Sequence, residues 1–413
     1  MSSRYAEYVN SGVPWIGDVP ASWTTTPLWS MFERIKDVGH PEEQMLSVFR
    51  DYGVVAKNSR DNINKTAENR NIYQLVHPGW LVTNRMKAWQ GSVGISGLRG
   101  IVSGHYICFA PRHDADSRYL NWLFRSPTYA AGYALQSRGV RIGQAEIDND
   151  HYRVMPVLLP PIDEQRAIAD YLDRETARID TLIEEQQWLI ELLRERRTAA
   201  VTALLESLGS MTRLKHVSTV QTGVTLSGEG DPAAPEWPYL RVANVQVGYV
   251  DLREIKNVRL LPYRAAASML QPGDVLMTEG GDIDKLGRGA LWRGEVPNML
   301  HQNHIFAVRP SEALDSEFLV FWLDGPVART YFRTTAKQTT NLAGTNKWTL
   351  GNLPVPVPPL NEQRRVVEML DEQTAKIDAL IAETERFIEL ARERRAALIT
   401  AAVTGQIDVR EMA

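Results

Sequence analysis

The sequence predicts an α+β protein. Two globular, β-rich mixed domains are separated by two long helices packed as an antiparallel coiled coil with pseudo-two-fold character. Three observations lead there. The segment Pro160 to Leu205 returns without a gap as Pro358 to Val403, at an offset of 198 residues and with about half of the aligned positions identical. Both copies carry a helical apolar stripe. The stretches between and before them hold short β-type runs broken by Gly, Asn, Asp and Pro. A period this long marks duplication of a whole module, not stacking of small repeats.

The chain therefore divides into four parts: residues 1–157, a helix segment 158–210, residues 211–355, and a helix segment 356–413. With 413 residues it has room for two or three domains, each with its own core. No apolar run reaches the roughly 18 residues of a membrane span. The opening MSSRYAEYVN lacks the basic-then-apolar pattern of a secretory signal. The lone Cys108 has no partner for an internal disulfide, which fits a reducing cytoplasm.

Net charge is −4 but unevenly placed. Residues 1–157 carry 17 Lys and Arg against 14 Asp and Glu, and 211–355 carry 15 against 14. The helix segments hold the deficit, with 6 against 11 and 8 against 11. The regions between the helices are mildly basic, which removes the objection that net charge raises to a nucleic-acid partner.

Each helix segment opens with a proline block, Met155 to Pro161 and Leu353 to Leu360. Proline fixes φ and lacks an N–H, so both blocks read as extended connectors that launch a helix. Leu172, Ile179, Leu182, Leu189 and Leu193 then recur at helical spacing, matched by Leu370, Ile377, Leu380, Phe387 and Leu398. Ile183, Ile190, Ile381 and Ile388 widen the stripe to that of a packed pair. Gln186 and Thr384 sit mid-stripe, where a polar residue helps fix register. A helix over 162–205 would be about 65 Å long and needs a partner, and the other copy bears the same stripe. Either orientation is open to a connection of about 150 residues; a two-fold relation makes the pair antiparallel.

The two β-rich regions are expected to contain strands near 80–83, 106–109, 275–278 and 304–308, and one helix each, around 118–134 and 316–332. They echo each other faintly through Pro78-Gly79-Trp80 and Pro272-Gly273-Asp274, each followed by an aromatic helix. Distant copies on a constant frame are the expected reading.

At this point the chain resembles the specificity subunits of type I restriction–modification systems over essentially its full length. The motifs that carry the resemblance are Ser11 to Trp23, Thr83 to Phe109, Gly273 to Glu295 with Leu300 to Pro310, and the two PP-x-x-EQ helix starts. The resemblance implies two target-recognition domains, each reading one half of a split site in double-stranded DNA. It also implies two methyltransferase subunits docked on the assembly, and motor–nuclease subunits that join it. No membrane, cofactor or metal is implied.

Reading base edges requires donors and acceptors on loops, with cations for phosphates. In the first domain the candidates are Asn84, Arg85, Lys87 and Gln90, with Trp89 as packing support, and Arg138, Arg141 and Gln144. In the second they are Lys285, Arg288, Gln302, Asn303, Lys337, Gln338, Asn341, Asn346 and Lys347. The bland alternative for any one of them is an ordinary solvated loop residue. Glu164, Gln165 and Arg166, with Glu362, Gln363 and Arg364, occupy equivalent helix starts and are candidates for binding two identical partner subunits. Their bland alternative is support of the helix N-terminus.

Enzymatic readings fail on inspection. GGDIDKLGRG lacks phosphate-loop spacing, and counted as a calcium loop from Asp282 it ends at Arg293 where Glu is required. His301 and His304 lack further ligands for zinc. No methyltransferase, nuclease or helicase motif is found, so the chain reads as a non-catalytic binder. The rival from another class is a coiled-coil scaffold carrying two β-rich protein- or glycan-binding modules.

Overall fold

The computed structural model describes residues 4–59, 69–138, 145–206, 208–225, 233–283, 286–287, 289–338, 343–410 and 412. The chain forms two compact units, one from residues 1–187 with 385–413 and the other from 188–384. The boundaries fall inside the two repeat helices, Ile162–Glu206 and Leu360–Val403. Each unit therefore owns the first half of one repeat helix and the second half of the other.

In the first unit the chain passes through β1 (Thr24–Pro27), β2 (Phe32–Arg34), β3 (Leu81–Asn84), β4 (Val93–Ile95) and β5 (Tyr106–Pro111). Then come α1 (Ser117–Arg125), α2 (Pro127–Leu135), β6 (Ser137–Arg138), β7 (Glu146–Ile147), α3 (Asn149–Arg153) and β8 (Pro156–Leu159). The central sheet has the order β2-β5-β3-β4 and is antiparallel throughout. Val82, Val93 and Cys108 are fully or almost fully buried, as expected of β-branched and small residues on covered faces. β8 pairs with β1, so the proline block closes the domain before launching the helix.

The second unit repeats this plan. β9 (Met211–Arg213), β10 (Ser218–Thr222), β11 (Val275–Thr278), β12 (Gly280–Gly281), β13 (Gly289–Leu291) and β14 (Ile305–Pro310) precede α4 (Ser316–Asp324) and α5 (Pro326–Thr335). β15 (Lys337–Gln338), β16 (Ala343–Gly344), α6 (Lys347–Gly351) and β17 (Pro354–Pro356) follow. The central sheet order is β10-β14-β11-β13, again antiparallel, and β17 pairs with β9. The faint echo in the sequence is thus a shared topology.

Where one helix was expected in each domain there are two. The first ends at Ser126, whose hydroxyl caps α2 by accepting from the Tyr129 N–H at 3.3 Å. The second ends at Gly325. In both, proline takes the next position, where its missing N–H is harmless but its ring forbids continuation of the preceding helix.

The repeat helices pack antiparallel. In the first unit Ile168, Ala169 and Leu172 share a core with Ile399, Ala402 and Val403. In the second, Val201 and Leu205 share one with Val366, Val367 and Leu370. Each buried Leu, Ile or Val among these contributes about 1.5–3 kcal/mol. Ion pairs confirm the direction: Arg395 Nε lies 2.9 Å from Asp180 in the first unit, and Arg197 Nε lies 3.2 Å from Asp378 in the second. These pairs are images of one another at the 198-residue offset.

The predicted stripe is partly corrected. Leu172, Ile183, Ile190, Leu193, Leu370, Ile377 and Ile388 are buried, but Leu182, Leu380 and Phe387 are exposed, because the seam is narrower than the apolar face. Thr384 is buried, yet its hydroxyl donates to the Leu380 carbonyl of its own helix at 2.7 Å. It is satisfied locally rather than across the pair.

Candidate nucleic-acid interface

In the first unit β3 delivers Asn84 to the edge of the sheet. Its Oδ1 accepts from the Met86 N–H at 3.2 Å, turning the chain into a short 3₁₀ segment, Ala88–Gln90. Gly91 closes that turn at φ 86°, a conformation that favours glycine. Trp89 Nε1 donates to the Met86 carbonyl at 3.1 Å, the supporting role expected of it. Arg85, Lys87 and Gln90 are left exposed.

The second predicted segment arrives at the same place. Arg138 lies in β6, which pairs with β7 across the intervening loop. The Ile147 N–H donates to the Arg85 carbonyl at 3.2 Å, and Arg85 forms an ion pair with Glu146 at 2.9 Å. Segments about 50 residues apart thus meet at one sheet edge. Arg141 and Gln144 lie outside the described residues.

The second unit assembles three segments around Glu279, which follows β11. The Glu279 N–H donates to the His304 carbonyl at 2.9 Å, and its carboxylate meets His304 Nδ1 at 2.7 Å. The Thr345 N–H donates to the Glu279 carbonyl at 2.7 Å. β12, β16 and β15 form one small sheet, joining the glycine-rich stretch to the Lys337 segment.

The predicted residues divide by role. Lys337 and Lys347 are exposed. Gln302 is half-buried and its Oε1 accepts from the Val242 N–H at 3.3 Å, while the half-buried Asn303 is tied by its backbone N–H to the Val224 carbonyl at 3.0 Å. Asn346 is the N-cap of α6, accepting from the Thr349 N–H at 2.9 Å, which removes one acceptor from any base contact. Gln338 is in β15. Lys285, Arg288 and Asn341 lie outside the described residues. Sequence reading missed Trp348, 76% exposed beside Lys347; an aromatic at the first turn of a capped helix after a Lys/Asn-rich loop was the available signal.

His301 is fully buried, its Nδ1 3.0 Å from the Ser268 carbonyl, and burial pushes its pKa down to about 4. It is a neutral core residue at physiological pH. Among the described residues no group of three or more His, Cys, Asp or Glu side chains could hold a metal ion.

The helix starts behave differently from a free docking surface. Gln165 is buried; its Oε1 accepts from the Asp116 N–H at 2.9 Å and its Nε2 donates to the Pro160 carbonyl at 2.8 Å. Gln363 does the same with the Asp315 N–H at 2.8 Å and the Pro358 carbonyl at 2.7 Å, and adds the Ala313 carbonyl at 2.9 Å. Each glutamine ties the start of a repeat helix to the N-cap of α1 or α4. Glu164 is buried too, accepting from Tyr5 Oη and from Trp23 Nε1 at 2.8 Å. Arg166 and Arg364 remain exposed and Glu362 is half-buried.

The fold is thus a duplicated α+β module, each copy built on halves of two repeat helices and each gathering cation- and amide-bearing loops at one sheet edge. No family model matches the chain. It is similar to the type I restriction enzyme EcoKI specificity subunit of Escherichia coli (strain K12), with 21% identity over 95% of this chain and 90% of that protein. A chain solved in work on complex assembly and conformational transition of the type I R-M system superposes with TM-score 0.68 at 15% identity, over 93% of this chain and 98% of that one. The HsdS subunit from Thermoanaerobacter tengcongensis gives TM-score 0.54 at 16% identity, over 94% and 98%. The resemblance to type I specificity subunits therefore holds in whole-length sequence and in fold. Among the described residues no helix is long and apolar enough to cross a membrane.

Proposed function

We propose that this chain reads a bipartite site in double-stranded DNA, one half per unit, and positions two methyltransferase subunits and, in a full assembly, motor–nuclease subunits. Residues 1–157 and 211–355 are the target-recognition domains; 158–210 and 356–413 are the spacers. The carrying observation is the convergence in each unit of distant Arg-, Lys-, Asn- and Gln-bearing segments at the same edge of an otherwise matching sheet. Like frames with unlike loops fit two unlike half-sites. The exposed Arg166 and Arg364, at equivalent helix starts, are the remaining candidates for two identical partner contacts. Such a complex works in the cytoplasm, where DNA and methyl donor are found.

The test is an exchange of residues 1–157 for the corresponding domain of another specificity subunit, followed by mapping of methylated bases. One half-site should change while the other and the spacing stay. A change in both, or in neither, defeats the reading. The repeat helices act as the ruler for the unread gap: four residues inserted at matched positions of both add about 6 Å, against 3.4 Å per base pair. The preferred gap should shift by one or two base pairs with both half-sites retained, and an unaltered gap rules the ruler out.

A further inference from the structure

We propose that Arg34, Arg85 and His105 form a pocket for one phosphate of the DNA backbone, with Glu146 as a built-in competitor that holds Arg85 in place until the phosphate arrives. This rests on the DNA-recognition reading and adds Arg34 and His105, neither of which is among the candidate contacts read from the sequence.

The sheet explains why the three meet. β5 lies between β2 and β3 and runs antiparallel to both, with Arg34 opposite Phe109 and Asn84 opposite Tyr106. The ends of β2 and β3 and the start of β5 therefore share one edge. Arg34 closes β2, Arg85 follows β3 and His105 precedes β5. Together with Gly104, Tyr106 and Glu146 they line a pocket of about 90 Å³, room for a phosphate group and little more.

The charge pattern is the second part of the argument. Arg85 and Glu146 pair at 2.9 Å while remaining 44% and 40% exposed, so the pair is open to exchange with an incoming anion. Arg34 and His105 are exposed, and among the described residues their side chains have no hydrogen-bond or ion-pair partner. Two guanidinium groups thus face one carboxylate. A phosphate offers Arg85 the same charge and acceptor geometry as Glu146, and it engages Arg34 as well. Contacts of this type set register on the duplex and carry no sequence information.

The experiment measures binding of fluorescent duplexes, one with the methylated site and one unrelated, to the subunit assembled with its methyltransferase partner, from 50 to 200 mM salt. Arg34→Ala should weaken both duplexes by the same factor and make the negative slope of log K against log salt shallower by about 0.9. Arg34→Lys should keep the slope. Glu146→Gln should act in the opposite direction, tightening both duplexes. Thermal melting of each variant checks that the fold is intact.

An unchanged slope in Arg34→Ala, or weaker binding in Glu146→Gln, overturns the pocket while wild-type binding leaves the broader reading standing. A loss confined to one half-site sequence overturns it too, since that marks a base contact. In a parallel titration with inorganic phosphate, loss of phosphate binding in Arg34→Ala with duplex binding unchanged shows a free-anion site and also overturns it. Absence of wild-type DNA binding would instead defeat the reading on which the pocket rests.

Discussion

Asp173 and Asp371 are the same residue of the repeat, 198 positions apart, in opposite surroundings. In the first unit Asp173 accepts from Trp122 Nε1 at 2.8 Å and pairs with Arg118 at 3.2 Å, while Arg118 also reaches Asp170 at 2.7 Å. In the second unit the matching positions of α4 are Phe321, which has no N–H to give, and Glu317, which carries the wrong sign. Partial desolvation, and then the charge of Glu317, raise the pKa of the exposed Asp371, while the charge of Arg293, which pairs with Glu317 at 2.8 Å, lowers it. The frame is duplicated down to individual residues, but its electrostatic fastening has been rebuilt independently on each side.

A second contrast lies about two turns earlier in the repeat helix, where the fastening is the same in kind but not in degree. Gln363 makes three hydrogen bonds and is fully buried; Gln165 makes two. Replacing either by Ala leaves a part-buried backbone N–H at the N-cap of α1 or α4 without its acceptor, at up to about 1–3 kcal/mol per unsatisfied group. Gln363→Ala should therefore destabilise more than Gln165→Ala, and faster hydrogen exchange should localise to α4 and α1 respectively. Equal losses, or exchange spread evenly over the chain, would show that the glutamines are not the local ties.

The charge contrast can be broken by Glu317→Arg, which recreates the arrangement of Arg118. The sign follows from Asp371. A carboxyl with a raised folded pKa supports the folded state in acid and weakens it as pH climbs through the ordinary carboxylate range to the folded value. Relieving that burden should stabilise the second unit by about 0.5–1 kcal/mol at neutral pH, partly offset by release of Arg293. The gain should vanish below the carboxylate range, where the acids are protonated. A gain that persists in acid would mean that Glu317 acts through packing.

How much of this was legible in the sequence depends on distance along the chain. The repeat helices were, because their identity and spacing are local. So were the central strands and the connection of each proline block to the next helix. The break between α1 and α2, and between α4 and α5, was written in Pro127 and Pro326 but hidden by apolar periodicity that continues across both. Gln165 and Gln363 are open in the sequence to partner binding or to support of the helix N-terminus, and their actual partners, Asp116 and Asp315, lie about 50 residues upstream, beyond any local pattern. The convergence of loops at Arg85 and at Glu279 rests on two-residue ladders, too short to leave a periodic signal. Arg34 lies outside every motif and His105 is not distinguished within the Thr83 to Phe109 stretch; only the strand order brings them to Arg85.

The smallest expected difference separates the matched ion pairs of the repeat helices, and here the comparison is sharpest because the residues are identical. Arg395 pairs with Asp180 and lies 5.9 Å from the Trp122 ring. Arg197 pairs with Asp378 and also reaches Asp324 at 3.4 Å. Partly exposed pairs are worth about 0.2–1 kcal/mol each, and a cation over an exposed aromatic ring about 0.5–1 kcal/mol more. Arg395→Ala should thus cost slightly more than Arg197→Ala, with both under about 2 kcal/mol. High salt separates the causes. Screening should shrink the loss in Arg197→Ala, which removes ion pairs to two carboxylates, more fully than the loss in Arg395→Ala, whose guanidinium also lies over the Trp122 ring. If salt abolishes both losses alike, the aromatic contact contributes nothing and the two ends of the helix pair are held by the same force.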